Sequence, residues 1–450
     1  MLTHQTPRES LMKTHFYPTR ILVLLLTIVQ PINLAAKELK STDLVNTLSA
    51  SQLVLLVLQA NPRLDVAQAS WQASLARIEQ QSALDDPQFL YSFAPLTGDS
   101  QKPNGQDLDF GQRFEISQKL PFPGKLLLRG KAAEYQAISR QQNIKTVQLL
   151  LASKAKTLFA NGYFIYQAIA INQINQTLLQ EFRDIALTRY STGKVSKQDV
   201  LHAEVELTLF KHQAIVLTRE RKTILVQLNT LLNRPIDSPL SLPKQLSEIN
   251  TLPKLQQLQK IALQSRPELK AITANINAYK TQNKLAALDY YPDLKVSAGY
   301  NSLWDNEDKR FNIGIGINIP LGQSKRSAAE QEAKANSQQA HWRKIDLEAR
   351  INEELAVAYA QVEESLHVLQ LYRQQLSSLA DANMAAAKAD YQSGKGDFLT
   401  LISSEKNRFQ TQLQTAQALA NVYRNSAKLE QAIGSLEPLS THEQIGRLNP

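Results

Sequence analysis

The sequence predicts a mainly helical chain with transmembrane β-structure, built twice from one long repeat. Three observations predict it. From Gln323 to Ser393 about seventy residues pass without a glycine or proline, and Leu355, Val362, Leu369 and Leu376 recur at seven-residue spacing. Ile351, Ala358 and Leu366 fill the neighbouring positions, and Glu, Gln, Lys and Ala, good helix formers, make up most of the remainder. At about 1.5 Å per residue this is a helix of roughly 100 Å. No compact domain buries such a rod, so partners must line it, and a heptad repeat winds them into a left-handed supercoil. Second, the same helix stands in the first half, from Lys125 to Tyr190, interrupted only by Gly130 and Gly162, where Ala137, Ile144, Leu151, Leu158 and Ile165 also step by sevens. Third, four short segments change period from helical to two.

The duplication extends beyond the helices. Pro62 and Leu64 match Pro267 and Leu269, and Pro87 matches Pro292, at one offset. Leu120-Pro121-Phe122-Pro123-Gly124 matches Ile319-Pro320-Leu321-Gly322, and Tyr190-Ser191-Thr192-Gly193-Lys194 matches Tyr391-Gln392-Ser393-Gly394-Lys395. Downstream, Leu201 and Glu204 match Ile402 and Glu405. A period of about two hundred residues organises the chain. The expected divisions are a signal peptide over 1–36, a first repeat over 37–236, a linker over 237–257, a second repeat over 258–435 and a polar tail over 436–450.

Composition narrows the classes. With no cysteine, disulfides, Cys-ligated metals, thiol catalysis and an N-terminal lipid-bearing cysteine are excluded. The formal charge of +9 is spread among acids along the helices without an aromatic-basic cluster, so nucleic acid is not an expected partner. Lys13 and Arg20 precede the apolar run Ile21 to Val29, and Leu34-Ala35-Ala36 supplies small residues for cleavage before Lys37. That run has the length of a signal-peptide core and is too short to span a bilayer. Met12 is an alternative start.

In chain order, a short helix is expected from Ser41 to Ala60. A second follows from Pro62, placed in its first turn, to about Leu84 before Asp85-Asp86-Pro87. The second repeat does the same from Pro267 to Tyr291-Pro292. Strand pairs then fall at about 88–118 and 293–319. Phe89, Tyr91 and Phe93 alternate with Gln88, Leu90 and Ser92; Leu108, Phe110, Phe114 and Ile116 with Asp109, Gly111, Arg113, Glu115 and Ser117; and Leu294, Val296, Ala298 and Tyr300 with Lys295, Ser297, Gly299 and Asn301. The last strand is the clearest: Phe311, Ile313, Ile315, Ile317 and Ile319 alternate with Asn312, Gly314, Gly316 and Asn318. One apolar and one polar face is the pattern of an outer-membrane strand, with Phe311, Ile313, Ile315 and Ile317 facing lipid, and also of a hairpin on a soluble domain; the number of strands decides between them. Four strands cannot close a barrel, and open edges are not tolerated in lipid. Three chains would supply twelve, an even number within the known range of roughly 8 to 26.

The ordered motifs resemble those of the TolC-like outer-membrane efflux proteins. The resemblance is carried by the Asn61-Pro62 and Arg266-Pro267 helix starts, by Phe114-Glu115-Ile116-Ser117-Gln118-Lys119-Leu120-Pro121-Phe122-Pro123-Gly124-Lys125, and by the two Tyr-x-x-Gly-Lys turns. It covers about Leu44 to Gly434, and the Gln-x-Leu-Pro-x-Pro-Gly-Lys wording is most similar to the heavy-metal cation, CzcC-like branch. The resemblance implies a homotrimer with a twelve-stranded barrel in outer-membrane lipid and a periplasmic α-barrel of long helical hairpins. It also implies a periplasmic membrane-fusion adaptor and an inner-membrane RND-type pump as partners. Its hairpin tips, here Tyr190, Thr192, Gly193 and Lys194 with Tyr391, Ser393, Gly394 and Lys395, are expected to meet the adaptor. Its pore entrance is narrowed by aspartates six and nine residues after the second turn glycine, where this chain has Thr400 and Ser403; Asp199 and His202 hold those places in the first repeat. Glu204, Asp397 and Glu405 are nearby carboxylates, so an acidic ring displaced from the usual positions is expected among these residues.

Nothing in the sequence points to catalysis or a cofactor. His4, His15, His202, His212, His341, His367 and His442 form no close helical pair, methionine is confined to Met1, Met12 and Met384, and no Ser-His-Asp order or phosphate loop occurs. Two readings stand: a passive outer-membrane efflux channel, with divalent metal ions as a candidate cargo, and an exported coiled-coil structural protein without a pore. The amphipathic strands discriminate between them, since a structural rod has no use for four.

Overall fold

The computed structural model describes residues 49–97, 109–246, 252–302 and 310–436. The predicted signal segment over 1–36 and the tail from 437 onward lie outside these, as does most of the loop between each pair of strands. Helices and strands follow the order α1 (Ala50–Ala60), α2 (Pro62–Ser82), β1 (Gln88–Thr97), β2 (Asp109–Leu120), α3 (Lys125–Ser191), α4 (Lys197–Leu231) in the first half. The second half follows as α5 (Leu255–Ser265), α6 (Pro267–Leu288), β3 (Leu294–Asn301), β4 (Phe311–Ile317), α7 (Gln323–Leu371), a π-turn (Tyr372–Leu376), α8 (Ser377–Ser393) and α9 (Phe398–Ile433).

The helix starts explain the Asn-Pro and Arg-Pro words. Asn61 caps α2 through Arg63 N–H, with Pro62 at the first helical position, and its Nδ2 donates to the Leu231 carbonyl at the end of α4, 2.8 Å away. Arg266, its counterpart, donates to the Ala432 carbonyl at the end of α9 at 3.0 Å and pairs with Glu354 at 3.0 Å. Leu231 and Ala432 are themselves repeat equivalents, so each repeat ties its early helix to the unsatisfied carbonyls of its last one.

The heptads of α3 continue below the predicted run. Ala137, Leu151, Leu158 and Ile165 are buried, and so are Asn172, Leu179 and Ala186 at the same spacing. On α7 Ile351, Leu355, Ala358, Val362 and Leu369 are buried as predicted, but Leu376 is exposed. The π-turn inserts one residue into the stripe, which resumes at Met384 and Tyr391. The repeat offset records it: Leu151/Ile351, Ala155/Leu355 and Leu158/Ala358 match at one spacing, Ala186/Ala387 at one residue more. Burial is strung along the rods in successive clusters, as expected when a long helix finds its partners locally.

The four strands form one antiparallel sheet in the order β1-β2-β3-β4. The central pairing joins the repeats, Arg113 opposite Asn301 through Leu120 opposite Leu294. Register stacks the apolar side chains on one face: Phe89 opposite Ile116, Tyr91 opposite Phe114, Ile116 opposite Ala298, and Ala298 opposite Ile313. That face is bare, with Ile313 89% exposed and Phe311, Ile315 and Ile317 also exposed. The other face carries Arg113, Glu115, Lys119 and Lys295, with Arg113 bound to Glu115 at 2.5 Å. β1 and β4 are the outer strands of the sheet, each pairing on one side only among the described residues.

Where the sheet meets the helices, Lys125 of the Pro-Gly-Lys word is buried. Its Nζ lies 2.8 Å from Asp293 Oδ1, 3.2 Å from Asp289 Oδ1 and 3.3 Å from the Tyr291 carbonyl. Asp293 Oδ1 also accepts the Phe122 N–H at 2.9 Å, and Lys119 lies 3.5 Å from Oδ2. Burial works against the Asp293 charge, but the Lys125 and Phe122 hydrogen bonds and both lysines hold its carboxyl below the ordinary range. A lysine of the first repeat thus clamps the aspartate that opens the second repeat's sheet.

Candidate docking and pore-entrance site

Both hairpin tips are built by the same backbone chemistry. Gly193 has φ +70° and Gly394 φ +80°, the left-handed region in which side chains with a Cβ are strained. Gly193 N–H donates to the Tyr190 carbonyl and Lys194 N–H to Arg189; Gly394 N–H donates to Tyr391, and Lys395 N–H to Asp390. These bonds take up the last carbonyls of α3 and α8, closing each helix as a left-handed C-cap does. Thr192, Gly193 and Lys194 are exposed on one tip, and Ser393, Gly394 and Lys395 on the other.

The two tyrosines part company. Tyr190 is exposed, whereas Tyr391 is 1% exposed and belongs to the core of the paired tips, so the expectation that it is presented to a partner is corrected. Its ring packs edge-on against Phe398 at 5.3 Å, and the Arg189 guanidinium lies 4.8 Å over it while donating to the Tyr391 carbonyl. Burial, and then the Asp199 charge, push the Tyr391 hydroxyl up to about 12, so it stays protonated and donates to Asp199 Oδ2 over 3.4 Å. Arg189, which no sequence motif singled out, therefore joins the tips.

The candidate pore-entrance residues divide by exposure. Glu204, Asp397, Thr400 and Ser403 are exposed, and Asp199 and His202 half-buried. Asp397 caps α9, its Oδ1 accepting the Thr400 N–H at 2.7 Å, and that bond lowers its carboxyl pKa. His202 lies 3.2 Å from the Gln198 amide. Glu405 departs from the expectation. It turns into the helix packing at 1% exposure, with Oε1 lacking a partner among the described residues, so it lines no surface of the chain. Among the described residues no group of three or more His, Asp or Glu side chains is placed to hold a metal ion.

Burial, reinforced by the Glu206 charge and opposed by Arg408 and Lys406, pushes the Glu405 carboxyl up to about 7 from 4.5. Between those values the native chain binds more protons than the unfolded one, so its stability falls as pH rises through that window. Glu405→Gln should flatten this dependence and unfold later than the parent at pH 8, by up to roughly 3 kcal/mol at about 1.4 kcal/mol per unit. Urea unfolding at pH 5 and pH 8 checks it; equal pH dependence in both proteins would contradict it.

A sheet with one bare apolar face, carried on paired helical rods with closed tips, defines an outer-membrane channel fold. The chain belongs to the outer membrane efflux protein family, whose model matches residues 53–234 and 258–435. It is similar in fold to the outer-membrane channel OprN, at 18% identity and TM-score 0.74, over 86% of this chain and 90% of that one. It is also similar to VceC of Vibrio cholerae (16%, TM-score 0.72, 86% and 97%) and to CusC (18%, TM-score 0.74, 87% and 93%). Among curated proteins none matches.

Proposed function

We propose that three copies of this chain form the outer-membrane channel of a tripartite efflux pump, conducting substrate passively to the exterior. The observation that carries this reading is the bare apolar face of a four-stranded sheet with two outer strands to satisfy, in a chain of this family. Twelve strands from three chains close the barrel, and the helical rods extend it into the periplasm as an α-barrel. A periplasmic membrane-fusion adaptor meets the exposed tips, with an RND-type pump behind it. Heavy-metal cations are the proposed cargo, on the wording Gln118-Lys119-Leu120-Pro121-Phe122-Pro123-Gly124-Lys125. Cells lacking the protein should then gain sensitivity to divalent metals before organic compounds; the reverse order would remove the metal assignment and leave the channel.

Adaptor docking is tested at the tips. Gly394→Val places a β-branched side chain at φ +80°, and its Cβ would stand 3.3 Å from Arg189 Nη2. The strain is local and far from the sheet, so normal amounts of outer-membrane trimer are expected with efflux and adaptor cross-linking lost. Lys194→Glu with Lys395→Glu reverses the exposed charge without altering backbone freedom and should have the same effect. Full efflux and cross-linking in both variants would reduce the tips to connectors.

A further inference from the structure

Away from the tips and the sheet, a polar cleft of about 530 Å³ runs over α3 between α2 and α6. Arg77 and Ser74 of α2, Ser139 and Arg140 of α3, and Asn275 and Tyr279 of α6 line it, and no carboxylate does. Neither guanidinium has a hydrogen-bond or ion-pair partner among the described residues. Both arginines are exposed to solvent, and their forked donors, lining one cleft, match the oxygens of a phosphate. Hydroxyl and amide groups from all three helices surround them.

The cleft comes from the duplication, and its charge from a departure in it. Tyr279 is the repeat equivalent of Ser74, so the same helical face of both repeats borders α3 from opposite sides. Arg77, however, answers to Gln282 at the offset that pairs Pro62 with Pro267, so the second repeat lacks this charge. Because α3 has helices of its own chain on both flanks, the cleft is not a seam that another copy must cover. Arg140 lies about 22 Å along α3 from its first residue, well below the sheet.

We propose that this cleft binds a phosphate group, held between Arg77 and Arg140 with hydroxyl and amide donors completing the contacts. The group comes from a soluble phosphate or from a phospholipid headgroup, and the depth below the sheet favours the soluble one.

Calorimetric titration of the detergent-solubilised full-length protein tests it, with inorganic phosphate in one arm and a short-chain phosphatidylglycerol in the other. One site per chain is expected, with affinity falling at least tenfold in Arg77→Gln/Arg140→Gln and unchanged in Arg343→Gln, an exposed arginine of α7. The single variants Arg77→Gln and Arg140→Gln carry the test if the double variant fails to assemble. Binding of phosphate, lost with the arginines, supports the proposal with a soluble source; binding of the lipid alone, lost in the same way, supports it with a headgroup source. No binding in either arm, or equal affinity without the arginines, overturns it. The readout is independent of efflux, so either outcome leaves the channel reading untouched.

Discussion

Ile315→Arg is expected to abolish assembly in the outer membrane. Ile315 lies near the middle of β4, opposite Val296 on the bare apolar face. A charge against lipid near the bilayer midplane costs roughly 2–4 kcal/mol, and a trimer repeats it three times. Gly316, one residue on, points to the polar face, and a Cβ there would meet only Lys295 atoms at 3.8 Å or beyond, ordinary contact distances. Gly316→Asn should therefore assemble at near-normal levels. Heat-resistant oligomer in outer-membrane fractions reads both. Wild-type levels of Ile315→Arg would show that this face does not meet lipid.

The second large effect is expected at Lys125. Lys125→Met removes the buried cation and leaves Asp293 without its closest counter-charge while Asp289 stays half-exposed. Removing one partner of a buried pair costs about 3–5 kcal/mol when the remaining charge is stranded; Asp293 keeps Lys119 at 3.5 Å and the Phe122 N–H, so a loss at or below the lower end is expected. Lys125→Met/Asp293→Asn should recover part of that loss, since the neutral amide is cheaper to bury. Unfolding midpoints of parent, single and double variants in urea give the comparison. A single variant as stable as the parent would mean that the clamp contributes nothing to joining the repeats.

Local periodicity made much of this fold legible. The heptads of α3 and of α7 as far as Leu369 follow burial, and the alternation from Phe311 to Ile317 follows the one bare apolar face of the sheet. Pairing of β2 with β3 depends on residues far apart in sequence, which no local period encodes. The π-turn at Tyr372–Leu376 contains no glycine or proline to mark it; its traces are the one-residue step in the repeat offset and the exposure of Leu376. At the tips the turn glycines were readable because a positive φ demands them. The difference between Tyr190 and Tyr391 was not, since it follows from Arg189 and Phe398 packing on one ring alone. Glu405 did leave a trace: Phe398, Leu401 and Ile402 precede it at helical spacing, putting the carboxyl on the buried face of α9. Lys125 stands inside the Pro123-Gly124-Lys125 motif, yet its role needs Asp293, which only the fold brings to it.

The central claim is that one chain's sheet is a third of a barrel. The direct measurement is the native mass of the detergent-solubilised protein. Three chains per particle are predicted, because β1 and β4 need partners that a single chain does not supply. A folded particle of one chain, or of a number not divisible by three, would contradict it.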